Sequence, residues 1–155
     1  MSCAVGPYIY LCSLFYPMPS VHQTLYFENS AGQVYAHSQG YAILRYSAGR
    51  RAAGSFEALG TALAKLLTLR QWQRFLSDQR LLTPLSEAEK RWTTDNWIGN
   101  SVGRPASLRE AIVLSTDVFT RLGVTEILNQ TTALAAGLVI QYFTEEASAL
   151  AFLLA

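Results

Sequence analysis

The sequence predicts an α/β fold: a mixed sheet of about six strands, with an antiparallel meander first and parallel strand–helix units after it, and about four helices. Three observations carry this. Three short β-prone segments separated by tight turns open the patterned region, which is the signature of a meander. Apolar strand segments then alternate with helical patterns, which calls for right-handed crossovers and parallel pairing. Finally, 155 residues with 50% apolar content can bury one sizeable core. The predicted order is βββαβαβαβα.

Residues 1–22 are read as an apolar extension outside the domain, which spans 23–155. Residues 3–17 carry no charge, and a secretory signal would need Lys or Arg ahead of its apolar run. Pro7 and Pro17 bracket a stretch too short to span a bilayer. A start site placed upstream of the true one at Met18 is the preferred account, with a weak export signal as the alternative.

The elements then follow in order. Thr24–Asn29 has strand propensity, and Ser30-Ala31-Gly32-Gln33 supplies a turn. Val34–Ser38 is the second strand and Tyr41–Ser47 the third, with Gln39-Gly40 between them. Ala48–Gly54 is a glycine-bearing basic loop, after which Ser55 is expected to cap a helix. Phe56, Leu59, Leu63, Leu66 and Leu67 recur at helical spacing to about Arg70. Arg74–Asp78 is a short buried strand. Pro84 keeps Thr83 out of the helical region, and Ser86-Glu87-Ala88-Glu89 forms a capping box that opens a helix ending at Gly99-Asn100. Glu110–Leu114 reads as a parallel strand covered on both faces. Ser115, Thr116 and Asp117 are three candidate caps for a helix carrying Val118, Phe119, Leu122, Ile127 and Leu128. Leu138–Phe143 is the last strand, and Thr144-Glu145-Glu146 is expected to cap a final helix.

Charge and cysteine usage exclude several classes. A net charge of +1 gives no clustered basic face for nucleic acid and no strong attraction to an anionic membrane. Cys3 and Cys12 are the only cysteines, so neither a disulfide framework nor a zinc site is expected, which suits a cytoplasmic protein. No metal and no cofactor is expected. No nucleophile–base pair and no G-x-S-x-G elbow is visible, so the chain reads as a non-enzyme.

Candidate site residues come from strand ends, because open α/β sheets bind ligands outside the carboxyl ends of their strands, at a switch point. Asp78, Arg80, Ser115 and Thr116 belong to one such edge. Asp78 and Arg80 could equally form a strand-end salt bridge. Trp92 and Trp97 are five apart and should not share a helix face, so one is expected on the sheet and the other partly exposed. Trp97 is taken as the apolar anchor for a partner. Gly49–Ser55 imitates a phosphate loop but lacks its lysine, leaving Arg50 and Arg51 as a weak anion site and a solvated loop as the plainer reading.

The strand ending Asp78-Gln79-Arg80, the stretch from Pro84 to Trp97, the strand–helix start at Ile112–Phe119 and the run Phe143–Ala147 leading to Leu153 together give a resemblance. The chain resembles the SpoIIAA-like branch of the STAS fold, the anti-sigma-factor-antagonist type, over about residues 24–155. That resemblance implies a non-enzymatic regulatory module that binds a protein partner. The chain departs from phosphorylated members: Asp78 is followed by Gln79-Arg80 without glycine, and Ser86 is occupied as a cap. The alternative is a carrier of a small apolar ligand in a pocket beneath the last two helices, bordered by Thr131–Gly137. A homodimer is compatible with either reading.

Overall fold

In the computed structural model, which describes residues 22–131 and 136–155, the meander consists of β1 (Gln23–Asn29), β2 (Gly32–His37) and β3 (Tyr41–Tyr46). Both of its pairings are antiparallel. The expectation for residues 1–22 lies outside the described residues except at His22, whose carbonyl accepts from the Ser38 N–H at 2.7 Å. From β3 onward the chain alternates: α1 (Ser55–Arg70), β4 (Arg74–Asp78), α2 (Glu87–Trp92), β5 (Leu108–Val113), α3 (Val118–Gln130), β6 (Leu138–Phe143) and α4 (Glu146–Leu154). The fold is therefore the α/β mixed sheet expected, with β3 to β6 all parallel.

The strand order is β1-β2-β3-β4-β5-β6, each strand beside its sequence neighbour. This corrects one premise of the site argument. A switch point needs the order to reverse, with helices on both faces of the parallel strands it separates. Here the order never reverses. Alternation along the strands shows the consequence. Ala42, Leu44 and Phe75 face a core built with Leu59, Leu63, Leu66 and Leu67 of α1, Trp97 and Ile98, and Ile127 of α3. Tyr41, Ile43, Leu76, Ala111 and Val113 point the other way, against Ala149 and Leu153 of α4. The crossover helices thus cover one face and α4 covers the other. Four α1 leucines almost wholly removed from water contribute about 1.5–3 kcal/mol each.

Helix starts follow local chemistry with two corrections. The Ser86 box forms as expected: Ser86 Oγ accepts from the Glu89 N–H at 3.1 Å, and Glu89 Oε1 accepts from the Ser86 N–H at 2.8 Å. Asp117 is the cap chosen from three candidates, accepting from the Thr120 N–H at 2.8 Å. Ser55 does not cap α1. It is the first helical residue, its hydroxyl donates back to the Ala52 carbonyl at 2.7 Å, and Gly54 takes the cap position with φ 80°. The start of α4 likewise has no side-chain cap. Ser86→Ala should cost about 1 kcal/mol in chemical denaturation and Ser86→Asp almost nothing, because Asp also caps. Loss of stability in the Asp variant equal to that in the Ala variant would refute the capping role.

One irregularity was not foreseen. After Trp92 the helix widens into a π-helical turn, Thr93–Ile98, in which the Gly99 N–H donates to the Thr94 carbonyl, five residues back, at 2.9 Å. Such turns re-aim side chains and occur frequently at functional sites.

Candidate functional site

Asp78 lies at the carboxyl end of β4 and is buried. It accepts from Arg45 Nη1 of β3 at 2.7 Å, and from Nε and Nη2 of Arg80 at 2.9 and 2.8 Å. Glu146 of α4 closes the cluster, meeting Arg45 at 2.7 Å and Arg80 at 3.2 Å. Burial alone would raise the Asp78 carboxyl, but the hydrogen bonds from Arg80 and Arg45 outweigh it and hold the group below its ordinary range. Two cations and two anions leave no net charge to attract a ligand. The salt-bridge reading of Asp78 and Arg80 therefore holds, as a four-member network that ties β3, β4 and α4 together.

The neighbouring strand end meets the same edge. The Thr116 N–H and hydroxyl both donate to the Arg80 carbonyl, at 3.4 and 3.2 Å. Thr116 is exposed, whereas Ser115 is buried, donating to the Leu82 carbonyl at 3.0 Å and accepting from the Asp117 N–H. Ser115 thus fastens the β4–α2 loop to the start of α3, and its hydroxyl is committed within the protein.

Arg51 is not a free anion-binding group. Its guanidinium grips Glu89 at 2.7 and 2.8 Å and also donates to Thr83 Oγ1 at 2.7 Å and the Pro84 carbonyl at 2.9 Å. Arg50 is exposed. The expected anion site therefore reduces to Arg50 alone, and the Arg51–Glu89 pair is a clamp between the loop before α1 and the start of α2.

Trp97 is not a surface anchor. It is 8% exposed and stacks edge-on against Phe75 of β4, with ring centroids 5.6 Å apart. Trp92 is half-buried, edge-on to Phe56 of α1 at 6.1 Å and over Gly60. A Cβ at position 60 would lie 2.5 Å from Trp92 Cη2, so glycine is what lets the indole reach α1. The π-helical turn supplies the residue that ordinary spacing lacked, and both indoles line one cavity of about 80 Å³ between the sheet and the crossover helices. Val124, Ile127 and Leu128 of α3 close it. Among the described residues α3 and α4 pack on opposite faces of the sheet, so the two helices do not share the one pocket expected beneath them. Of its suggested border, residues 132–135 lie outside the described residues.

Sequence reasoning missed the polar residue of this cavity. Glu110 sits near the start of β5, opposite Phe75 in the parallel register, and lines the cavity while only 8% exposed. Burial pushes its carboxyl up to about 7, against the opposing influence of Arg104 and a hydrogen bond with Ser77. Arg104 gives it no direct partner. Its guanidinium donates to the carbonyls of Trp97, Ile98 and Pro105 at 2.6, 3.1 and 2.9 Å, closing the end of the π-helical turn. The available signal was a carboxylate at an inward position of a strand read as covered on both faces.

A second surface lies outside the cavity. Val118, Phe119 and Leu122 are 53%, 75% and 62% exposed, while Val124, Ile127 and Leu128 of the same helix face inward. Leu81, 59% exposed, belongs to the loop that Thr116 and Ser115 hold beside α3. Comparison with known proteins finds no matching family, no matching curated protein and no matching solved structure. No helix among the described residues is long and apolar enough to cross a membrane.

Proposed function

We propose that the chain is a STAS-like regulatory module, without chemistry of its own, that docks a protein partner on the outer face of α3 and the adjoining β4–α2 loop. The observation that carries this is the exposed apolar cluster at the start of α3, where Val118, Phe119 and Leu122 stand outward ahead of the polar Thr125 and Glu126. A surface helix normally keeps its outward face polar, and a contiguous apolar patch on it marks an interaction site. Phe119 is a large ring standing mostly in water, the kind of side chain that anchors interfaces. Arg80 and Thr116 border the patch and supply its polar rim. A cytoplasmic setting belongs to the same proposal, in keeping with a sequence whose only cysteines fall at positions 3 and 12. The carrier reading takes second place: the most enclosed cavity is about 80 Å³, short of the roughly 300 Å³ at which drug-sized ligand sites begin, and the larger hollows of about 490 and 390 Å³ are open grooves on the surface.

The test is affinity capture from a native-host lysate with wild type, Phe119→Asp, Arg80→Ala and, as a control on the other face of the sheet, Val139→Asp. A stoichiometric protein held by wild type and Val139→Asp should be lost by Phe119→Asp. Arg80→Ala should weaken it by more than about 1 kcal/mol if the rim contact forms. Retention of that protein by Phe119→Asp at wild-type affinity refutes the assigned surface.

A further inference from the structure

We propose that the cavity between the sheet and the crossover helices is a binding site for a methylated ammonium group, held by the Glu110 carboxylate and walled by Tyr46, Phe56, Phe75, Trp92 and Trp97.

The chemistry follows from what the walls contain. Aromatic faces carry partial negative charge and attract cations, most strongly those that lose little hydration on entry, and quaternary ammonium groups are the ligands such aromatic cages take. Five aromatic residues converge on this cavity from β3, β4, α1, α2 and the π-helical turn. A wall of rings alone would suit any apolar guest. Glu110 makes the choice, because a buried carboxylate is stable as an anion only with a compensating cation. Among the described residues no Lys or Arg lies within salt-bridge distance of it, and Arg104 is committed to three backbone carbonyls. A cavity of about 80 Å³ is scaled to one compact headgroup and excludes a long chain. The residues at its rim between α2 and α3, among them Leu85, Trp92 and Thr93, are only partly buried, which leaves a way in.

Binding and proton release are coupled. Without ligand, burial keeps a proton on Glu110 for much of the time near neutral pH. An entering ammonium ion takes over the compensating charge, and the carboxyl proton leaves to solvent: one cation in, one proton out, no bond otherwise changed. The groups that face Glu110 do not prevent this. Tyr46 of β3 and Tyr142 of β6 are neutral phenols, both raised by burial and by Glu110 itself, Tyr142 to about 12. The end of β4 and the residue after it offer the uncharged Ser77 and Gln79, and α1 and α3 present apolar side chains. The nearby cations are Arg104, 5.7 Å over the Trp97 ring, and Arg51, 5.9 Å over the Phe56 ring and paired with Glu89. Affinity should therefore rise with pH and level off once Glu110 is ionised.

The full chain is titrated with choline and with its neutral isostere 3,3-dimethylbutanol, read by tryptophan fluorescence and calorimetry. Wild type should bind choline about tenfold or more tighter than the isostere at about pH 8, with the advantage shrinking at about pH 6. Glu110→Gln should lose most of that advantage and all of its pH dependence, keeping only the preference the rings themselves give. Should the variant fold poorly, the wild-type pH dependence and the choline-to-isostere ratio decide the matter. Equal affinity for the two compounds, an affinity that does not change with pH, undiminished choline binding by a folded Glu110→Gln, or no choline binding at millimolar concentration would each overturn the proposal. None of these outcomes depends on the α3 surface, so the two proposals stand or fall separately.

Discussion

Glu110→Gln should become more stable relative to wild type as pH rises, by about 3 kcal/mol between roughly pH 4.5 and 8. The sign follows from proton counts. The Glu110 carboxyl ionises at an ordinary value of 4.5 in the unfolded chain and at about 7 in the folded one. Between those values the folded state holds one more proton, so stability falls with rising pH by about 1.4 kcal/mol per unit. Gln carries no titrating group and escapes the loss. Asp78 and Glu89 act oppositely. Both are depressed in the folded protein, so their stabilisation is present above the ordinary carboxylate range and is lost on acidification through their folded values. Wild type should therefore be most stable in the mildly acidic window between the two effects. Urea denaturation of both proteins across that range checks it, and parallel stability–pH curves would show that Glu110 does not titrate abnormally.

The second large effect is Glu89→Ala, with an expected loss of about 3–5 kcal/mol. Glu89 does two things at once. It closes the capping box on the Ser86 N–H and takes both arms of the Arg51 guanidinium. The two side chains are only 11% and 8% exposed, so solvent would do little to compensate the orphaned cation. The melting point should drop by roughly 10 °C, at about 2–4 °C per kcal/mol for a domain of this size. Arg51→Leu combined with Glu89→Leu should recover part of the loss, since it leaves no buried charge unpaired. A loss below about 1 kcal/mol for Glu89→Ala would mean that the clamp is screened like a surface pair.

The elements and the sheet were legible because they rest on local patterns. Alternation from Tyr41 to Tyr46, leucine spacing from Leu59 to Leu67, and the Ser86–Glu89 box each lie within a few turns of chain. The site was less legible because it rests on contacts between distant segments. Arg51 looked like half of an anion site since its partner lies 38 positions away. One indole on the sheet and one partly exposed was the right expectation, but nothing local says which is which: Trp97 packs on Phe75 of the sheet and Trp92 is the half-buried one. Gly60 was a usable signal, since a glycine inside a strong helical pattern often marks a close approach. The edge carrying Asp78, Arg80 and Thr116 was placed correctly on one side of the sheet. Its role as a crevice fails with the sequential strand order.

That order also bears on how the chain is made. Because every strand pairs with its predecessor, no strand must wait for a later one to be inserted beside it. During synthesis the β1–β3 meander can form as soon as Tyr46 emerges, and each further helix and strand can add to an existing edge as the nascent chain lengthens. Assembly is vectorial, from amino to carboxyl end, and loop closure at each step spans a single crossover, which keeps its entropic cost low. The growing edge is the vulnerable point. β6 is an uncharged, β-prone strand that stays at the sheet margin even in the finished fold, with Val139 and Tyr142 still 55% and 37% exposed after α4 has packed, which makes this margin the place where pairing with another chain has to be prevented.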